Sequence, residues 1–260
     1  MKNNTLKKAL SVNLNKIALL RNSREGNYPD VVAHAKVCVD NGADGITIHP
    51  RPDQRHIRPQ DAQDLQTFLT EINDTKLTPI ELNIEGNPFA EPRGSYPGFI
   101  ELVEVTRPDQ CTLVPDSDSQ LTSDHGFDLN QTGDKLQPII KRLKSQGIRV
   151  SLFMDPEPTQ IELAAQIGAD RIELYTGPYA AAWGTDHLEE IFEQHYKAAE
   201  LAKKLGLGLN AGHDLNLENL AKFATILGLQ EVSIGHALTV DAIAMGLAKA
   251  VQSYKNILSA

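Results

Sequence analysis

The feature that most constrains this chain is a short apolar run that keeps returning behind the same punctuation. Gly42-Ala-Asp stands before Ile46-Thr47-Ile48, and Gly168-Ala-Asp stands before Ile172-Glu173-Leu174. Gly147, Gly206 and Gly228 close other amphipathic stretches in the same way, as residues at helix ends do. Alternating apolar residues predict strands at 9–14, 46–48, 79–85, 110–115, 148–153, 168–176, 207–212 and 230–235. Helical periodicity predicts helices near 29–39, 59–72, 91–105, 135–146, 155–167, 183–205, 217–227 and 240–258. Eight strand–helix units predict an α/β protein, a (β/α)8 TIM barrel. No linker or shift in composition divides the chain, so 1–260 reads as a single domain with a polar tail at 1–8. The competing open, doubly wound sheet requires a glycine-rich dinucleotide turn after its first strand. Asn13-Leu-Asn-Lys-Ile is not one.

Composition narrows the partners. Apolar residues make up 41% of the 260, enough for a continuous core, and a net charge of −9 argues against a nucleic-acid or membrane-surface partner. Any anion site must therefore be a local basic pocket in an acidic protein. Cys38 and Cys111 form neither a disulfide framework nor a metal spacing, which fits a reducing, cytoplasmic location. No apolar run approaches membrane-spanning length, and Met1-Lys-Asn-Asn-Thr lacks the apolar core of a signal peptide.

In a barrel the residues just beyond each strand converge on one rim, and the chemistry happens there. Strand one contributes Asn13, Asn15, Lys16 and, from its loop, Arg24; strand two contributes His49, Arg51 and His56. The third strand carries Glu81, Asn83 and Glu85 on one face, an expensive arrangement unless that face looks into a polar cavity. Thr122 belongs to the long loop after strand four, a segment long enough to be functional and placed to act as a lid. Glu173 belongs to strand six. His213 follows strand seven. Gly235-His236 follows strand eight, where barrels often seat a phosphate on backbone N–H groups. Histidines and carboxylates facing one cavity suit repeated proton transfer near neutral pH, while the cations suit phosphate. His34, His125, His187 and His195 read as surface residues. A metal held by His49, Glu81, His213 and His236 is the main chemical rival; the absence of fixed histidine spacing and the nearby cations argue against it.

Several of these segments resemble one family, pyridoxine 5′-phosphate synthase of deoxyxylulose-dependent vitamin B6 biosynthesis. The matching stretches are Val12-Asn-Leu-Asn-Lys-Ile-Ala-Leu-Leu-Arg-Asn-Ser-Arg24, Gly42 to Ile57, Cys111-Thr-Leu-Val-Pro115, Val150-Ser-Leu-Phe153, Asn210-Ala-Gly-His213 and Ile234-Gly-His-Ala237. The resemblance implies condensation of 3-amino-2-oxopropyl phosphate with 1-deoxy-D-xylulose 5-phosphate, without metal or organic cofactor, in a homo-octamer. It implies general-base roles for His49 and Glu81, a general-acid role for His213, and transition-state charge stabilisation by Glu173. Asn13, Arg24, the His213–Asp214 turn and Gly235-His236 would hold the aminoketone phosphate. Asn15, Lys16, Arg51, His56 and Thr122 would hold the deoxyxylulose phosphate. Well-known members carry Asp-His where this chain has Asn15-Lys16, and Gly where it has Asp214. Two other classes stand beside this expectation: a phosphosugar isomerase or epimerase on the same barrel, and a non-catalytic barrel that binds phosphorylated metabolites.

Overall fold

A computed structural model describes residues 7–260; positions 1–6 of the expected polar tail lie outside the described residues. Eight parallel strands close into one barrel: β1 (Ala9–Asn13), β2 (Gly45–Ile48), β3 (Glu81–Gly86), β4 (Gln110–Leu113), β5 (Arg149–Met154), β6 (Arg171–Tyr175), β7 (Gly208–Gly212) and β8 (Leu229–Ile234). Neighbours in sequence pair throughout, and β1 pairs with β8 to complete the ring. The α/β (β/α)8 class expected from the sequence is the one observed.

The helices are α1 (Asn15–Asn22), α2 (Val31–Asp40), α3 (Pro59–Asn73), α4 (Phe99–Thr106), α5 (Leu129–Lys144), α6 (Pro158–Gln166), α7 (Gly177–Ala182), α8 (Leu188–Lys204), α9 (Leu220–Phe223), α10 (His236–Met245) and α11 (Leu247–Ser259). The short helices α1 and α7 were not expected and α9 is shorter than expected; three further differences have local reasons. Pro92, Gly94, Pro97 and Gly98 keep the chain irregular until Phe99, so α4 starts late. Asp128 caps α5 by accepting from the Asn130 N–H, so the helix begins six residues before Lys135 and the loop before it is shorter. Gly246 divides the final helix into α10 and α11.

The apolar core lies between sheet and helices. Leu10, Ile46, Leu82, Val150, Ile172 and Val232 point outward from the strands and are buried against the helical layer. Residues at alternate positions point into the lumen, which is polar: Ser11 and Thr47 lie 2.6 Å apart, and Gln110, Asn210 and Glu231 form a hydrogen-bonded group lower down.

The Gly-Ala-Asp punctuation has a definite structural role. Gly42 and Gly168 adopt φ of +104° and +90°, a turn that a side chain would resist. The aspartate that follows then ties the strand start to its neighbour: Asp44 accepts from the Leu10 N–H at 2.9 Å, and Asp170 accepts from the Val150 N–H at 2.9 Å. Asp109, just before β4, does the same for the Leu82 N–H at 2.8 Å. Three alternate strand pairs, β1/β2, β3/β4 and β5/β6, are thus fixed at their amino ends by one carboxylate each.

Candidate active site

At the carboxyl ends of the strands the barrel opens into a cavity of about 420 Å³. Asn13 reaches it from the end of β1, and Asn15 and Lys16 from the first turn of α1. His49, Arg51 and His56 come from the loop after β2, Thr122 from the loop after β4, and Glu173 from β6. His213 and Asp214 come from the turn after β7. Gly235 and His236, which line the cavity, open α10, and the first N–H groups of a helix have no partner within it.

His49 sits between two carboxylates. Its Nε2 is 2.9 Å from Asp116 Oδ2, and its Nδ1 is 3.8 Å from Glu85 Oε2, while its backbone N–H donates to Asn15 Oδ1 at 2.9 Å. Asp116 also accepts from Arg51 at 2.6 Å. Burial works against a charge on Asp116, yet His49 and Arg51 hold its carboxyl well below the usual carboxylate range. Arg51 and Arg55 both donate to the Gln120 carbonyl, at 2.6 and 3.0 Å, and so pin the loop after β4 over the cavity. His56 accepts the Ile57 N–H on Nδ1 at 2.9 Å, which leaves Nε2 as its donor. Burial and then the neighbouring His49 and Arg51 pull its pKa down to about 3, so it offers that donor as a neutral ring.

Two buried carboxyls, Glu85 and Glu173, form the cavity floor. Asn83 and Ser233 each donate to Glu85 Oε1 at 3.4 Å, and Asn13 donates to its other oxygen at 3.5 Å. Burial, followed by the charge of Glu173, raises the Glu85 pKa well above the ordinary glutamate value; burial and Glu231 raise that of Glu173. Both carboxyls therefore favour the protonated form more than an exposed glutamate does. Gly212 on β7 makes room for Glu173, because a Cβ there would stand 2.3 Å from its Oε1.

His213 and Asp214 have φ of +88° and +60°. Supports on two sides hold this unusual turn: the Thr176 hydroxyl bonds the Gly212 and His213 carbonyls, and Asn219 donates to the Asp214 carbonyl at 3.2 Å. The His213 ring packs edge-on to Tyr175 at 5.2 Å between centroids.

Two expected site residues are not brought to this rim. Glu81 opens β3 and so lies at the amino-terminal end of the barrel, where it forms an ion pair with Arg149 on β5. Glu85 lies four steps further along the strand, about 13 Å at the usual rise. The alternation on β3 correctly identified the inward face but not the depth, and the mouth belongs to Glu85. The proposed four-residue metal set is broken by the same fact, and among the described residues no group of three or more His, Cys, Asp or Glu has metal-holding geometry. Arg24 is exposed after α1 and does not line the cavity of its own chain. His195, expected at the surface, is completely buried, with its ring nitrogens 2.8 and 3.0 Å from the Ile191 and Tyr175 carbonyls.

Sequence reasoning assigned no site role to three residues, although Arg55 stands with His49, Arg51 and His56 in the polar stretch after strand two. Asp116 follows Pro115 at the end of β4, and a carboxylate in that position was itself the available signal. Arg55 lines the cavity beside Arg51. Arg21 is buried and gives no pattern-level sign; it pairs with Asp61 at 2.5 and 2.9 Å and donates to the His56 carbonyl at 3.0 Å.

Comparison with known proteins agrees over the whole barrel. Residues 10–260 match the family described as pyridoxal phosphate biosynthesis protein PdxJ. Proteins named pyridoxine 5′-phosphate synthase are similar: one from Xanthomonas axonopodis pv. citri is 53% identical over 96% of each chain. One from Xylella fastidiosa is 51% identical over 96% of this chain and 94% of its own. Among solved structures, a tryptophan synthase from M. tuberculosis superposes with a TM-score of 0.65 at 13% identity, covering 98% of this chain and 94% of that one. A phosphoribosylanthranilate isomerase from Thermotoga maritima gives 0.55 at 13% identity, with 96% and 98% covered, and these two likenesses concern the fold alone. With a match from β1 to the last helix and half of all positions identical to named relatives, the chain belongs to the PdxJ family of pyridoxal phosphate biosynthesis proteins.

Proposed function

We propose that this enzyme is a pyridoxine 5′-phosphate synthase, joining 3-amino-2-oxopropyl phosphate to 1-deoxy-D-xylulose 5-phosphate and releasing phosphate and water. The observation that carries the reading is the convergence of His49, Glu85, Glu173 and His213 on one cavity whose rim also holds Lys16, Arg51, Arg55 and His236. Joining an amine to a ketone as an imine, expelling water and phosphate, and closing an aromatic ring require protons to be added and removed several times at one place. Two phosphorylated reactants account for a cationic rim on a chain of net charge −9.

In this reading His49 and Glu85 are the bases, and Glu85 takes the role the resemblance first suggested for Glu81. His213 is the acid, and Glu173 stabilises charge as it develops. Asn13, the His213–Asp214 turn and the amino end of α10 at Gly235-His236 hold the aminoketone phosphate. Asn15, Lys16, Arg51, His56 and Thr122 hold the other reactant. The reaction runs without a metal or organic cofactor, in the cytoplasm, and the working form is a homo-octamer.

The deciding experiment mixes EDTA-treated protein with both substrates and follows pyridoxine phosphate absorbance together with released phosphate. Equal appearance of the two products is expected. Isomerised deoxyxylulose phosphate without ring formation would overturn the assignment.

A further inference from the structure

His213 and Asp214 form a contact between neighbouring side chains that the backbone resists. His213 Nδ1 lies 2.9 Å from Asp214 Oδ2, and both residues occupy the left-handed region, where a side chain at position 214 is retained against steric preference. On the opposite side of the ring, Nε2 lies 2.9 Å from Thr122 Oγ1. A hydroxyl can donate or accept, but an ionised carboxylate only accepts. The hydrogen bond with His213 holds the Asp214 carboxyl below the ordinary aspartate value against the opposing effect of burial, and Lys16 adds to the lowering. Nδ1 must therefore carry the proton in this contact. Tyr175, whose ring stands at 76° to that of His213 with centroids 5.2 Å apart, brings an aromatic neighbour and no competing charge.

We propose that Asp214 is a positioning residue that fixes the tautomer of His213: its carboxylate holds the Nδ1 proton, so that Nε2, facing the cavity beside Thr122, is the nitrogen that exchanges protons with substrate. This assigns the Asp214 side chain to the histidine, not to a phosphate, which a carboxylate would repel. The turn is held independently by Thr176 and Asn219, so the role of the side chain is separable from that of the backbone.

The kinetic half of the test rests on the proposed synthase activity; the spectroscopic half does not. Nitrogen-15 imidazole spectra of the full chain, with His213 assigned by its loss in His213→Asn, are recorded near pH 9, above the ordinary histidine range. Native protein is expected to show the proton on Nδ1, and both Asp214→Asn and Asp214→Gly to move it toward Nε2. In the same variants kcat should fall at least about tenfold, as it does when the partner orienting a histidine is lost, with KM altered less than about threefold. Asp214→Gly, free of the backbone penalty, should melt no lower than the native protein. A native ring protonated on Nε2, an unchanged tautomer in both variants, or a shifted tautomer with unchanged kcat would overturn the proposal. A shifted tautomer in a protein that makes no pyridoxine phosphate would instead overturn the synthase reading and leave the orienting contact in place.

Discussion

Glu81 and Glu85 share a strand, a face and a side-chain type, yet only one lies near His49. Replacing Glu85 with Gln keeps its shape and removes its ability to take a proton, so kcat is expected to fall by about 10²–10⁴. Glu81→Gln keeps a hydrogen bond to Arg149 at the far end of the barrel and should leave turnover within a few-fold; comparable loss in both variants would place the chemistry wrongly. Glu173 allows a separate test on stability. Its folded-state pKa lies above the ordinary 4.5, so below that value both folded and unfolded chains are protonated and the group is neutral to stability. As pH rises through and above 4.5, the unfolded chain ionises freely while the folded one resists, so this glutamate costs stability progressively. Glu173→Gln should therefore melt at the same temperature as native protein near pH 4 and higher at pH 8. Each unit of displacement corresponds to about 1.4 kcal/mol, or about 3–6 °C at roughly 2–4 °C per kcal/mol for a chain of this size. Melting curves that stayed parallel across that range would remove the assigned burial effect.

The first turn of α3 connects several elements. Pro59 starts the helix, and Asp61 accepts the Arg58 N–H at 2.7 Å while pairing with Arg21 of α1. Arg21 in turn holds the carbonyl of His56, and Asn22 donates to that same carbonyl at 2.7 Å. Two helices thereby fix the loop that carries the cationic side of the cavity. Arg21→Leu removes one partner of a buried pair and strands the other, an effect worth about 3–5 kcal/mol. Chemical denaturation should show that loss; a change under 1 kcal/mol would mean that water reaches Asp61 freely. These helices also show what patterns conceal. Period-matching found the long helices but not α1, because its eight residues follow a strand so closely that they read as loop. It also merged α10 with α11 across Gly246.

At the scale of the whole molecule, β1 pairing with β8 brings residue 13 and residue 236 to one rim. Outside the barrel, α1 and α10 pack together and leave Leu20 and Ile243 at 61% and 83% exposure. Apolar side chains so exposed suit contact with further copies of the chain. Light scattering should give a mass near eight times 28.5 kDa for the native protein, and a smaller particle for the Leu20→Glu, Ile243→Lys double variant. A native particle of single-chain mass would end the octamer proposal. Among the described residues no helix is long and apolar enough to cross a membrane.

The number of strands, their order and the inward face of β3 were legible in the amino-acid sequence, because local periodicity and Gly-Ala-Asp punctuation are properties of neighbouring residues. Most of the mouth was legible too, since a residue just past a strand must reach the rim once the barrel closes. Depth along a strand was not, and Glu81 was placed at the wrong end, because alternation repeats every two residues and carries no information on height. Nor could periodicity find Asp116 bridging His49 and Arg51, Arg21 buried against Asp61, or His195 in the core. Each depends on groups many residues apart meeting in space, and only the closed ring of strands decides which of them meet.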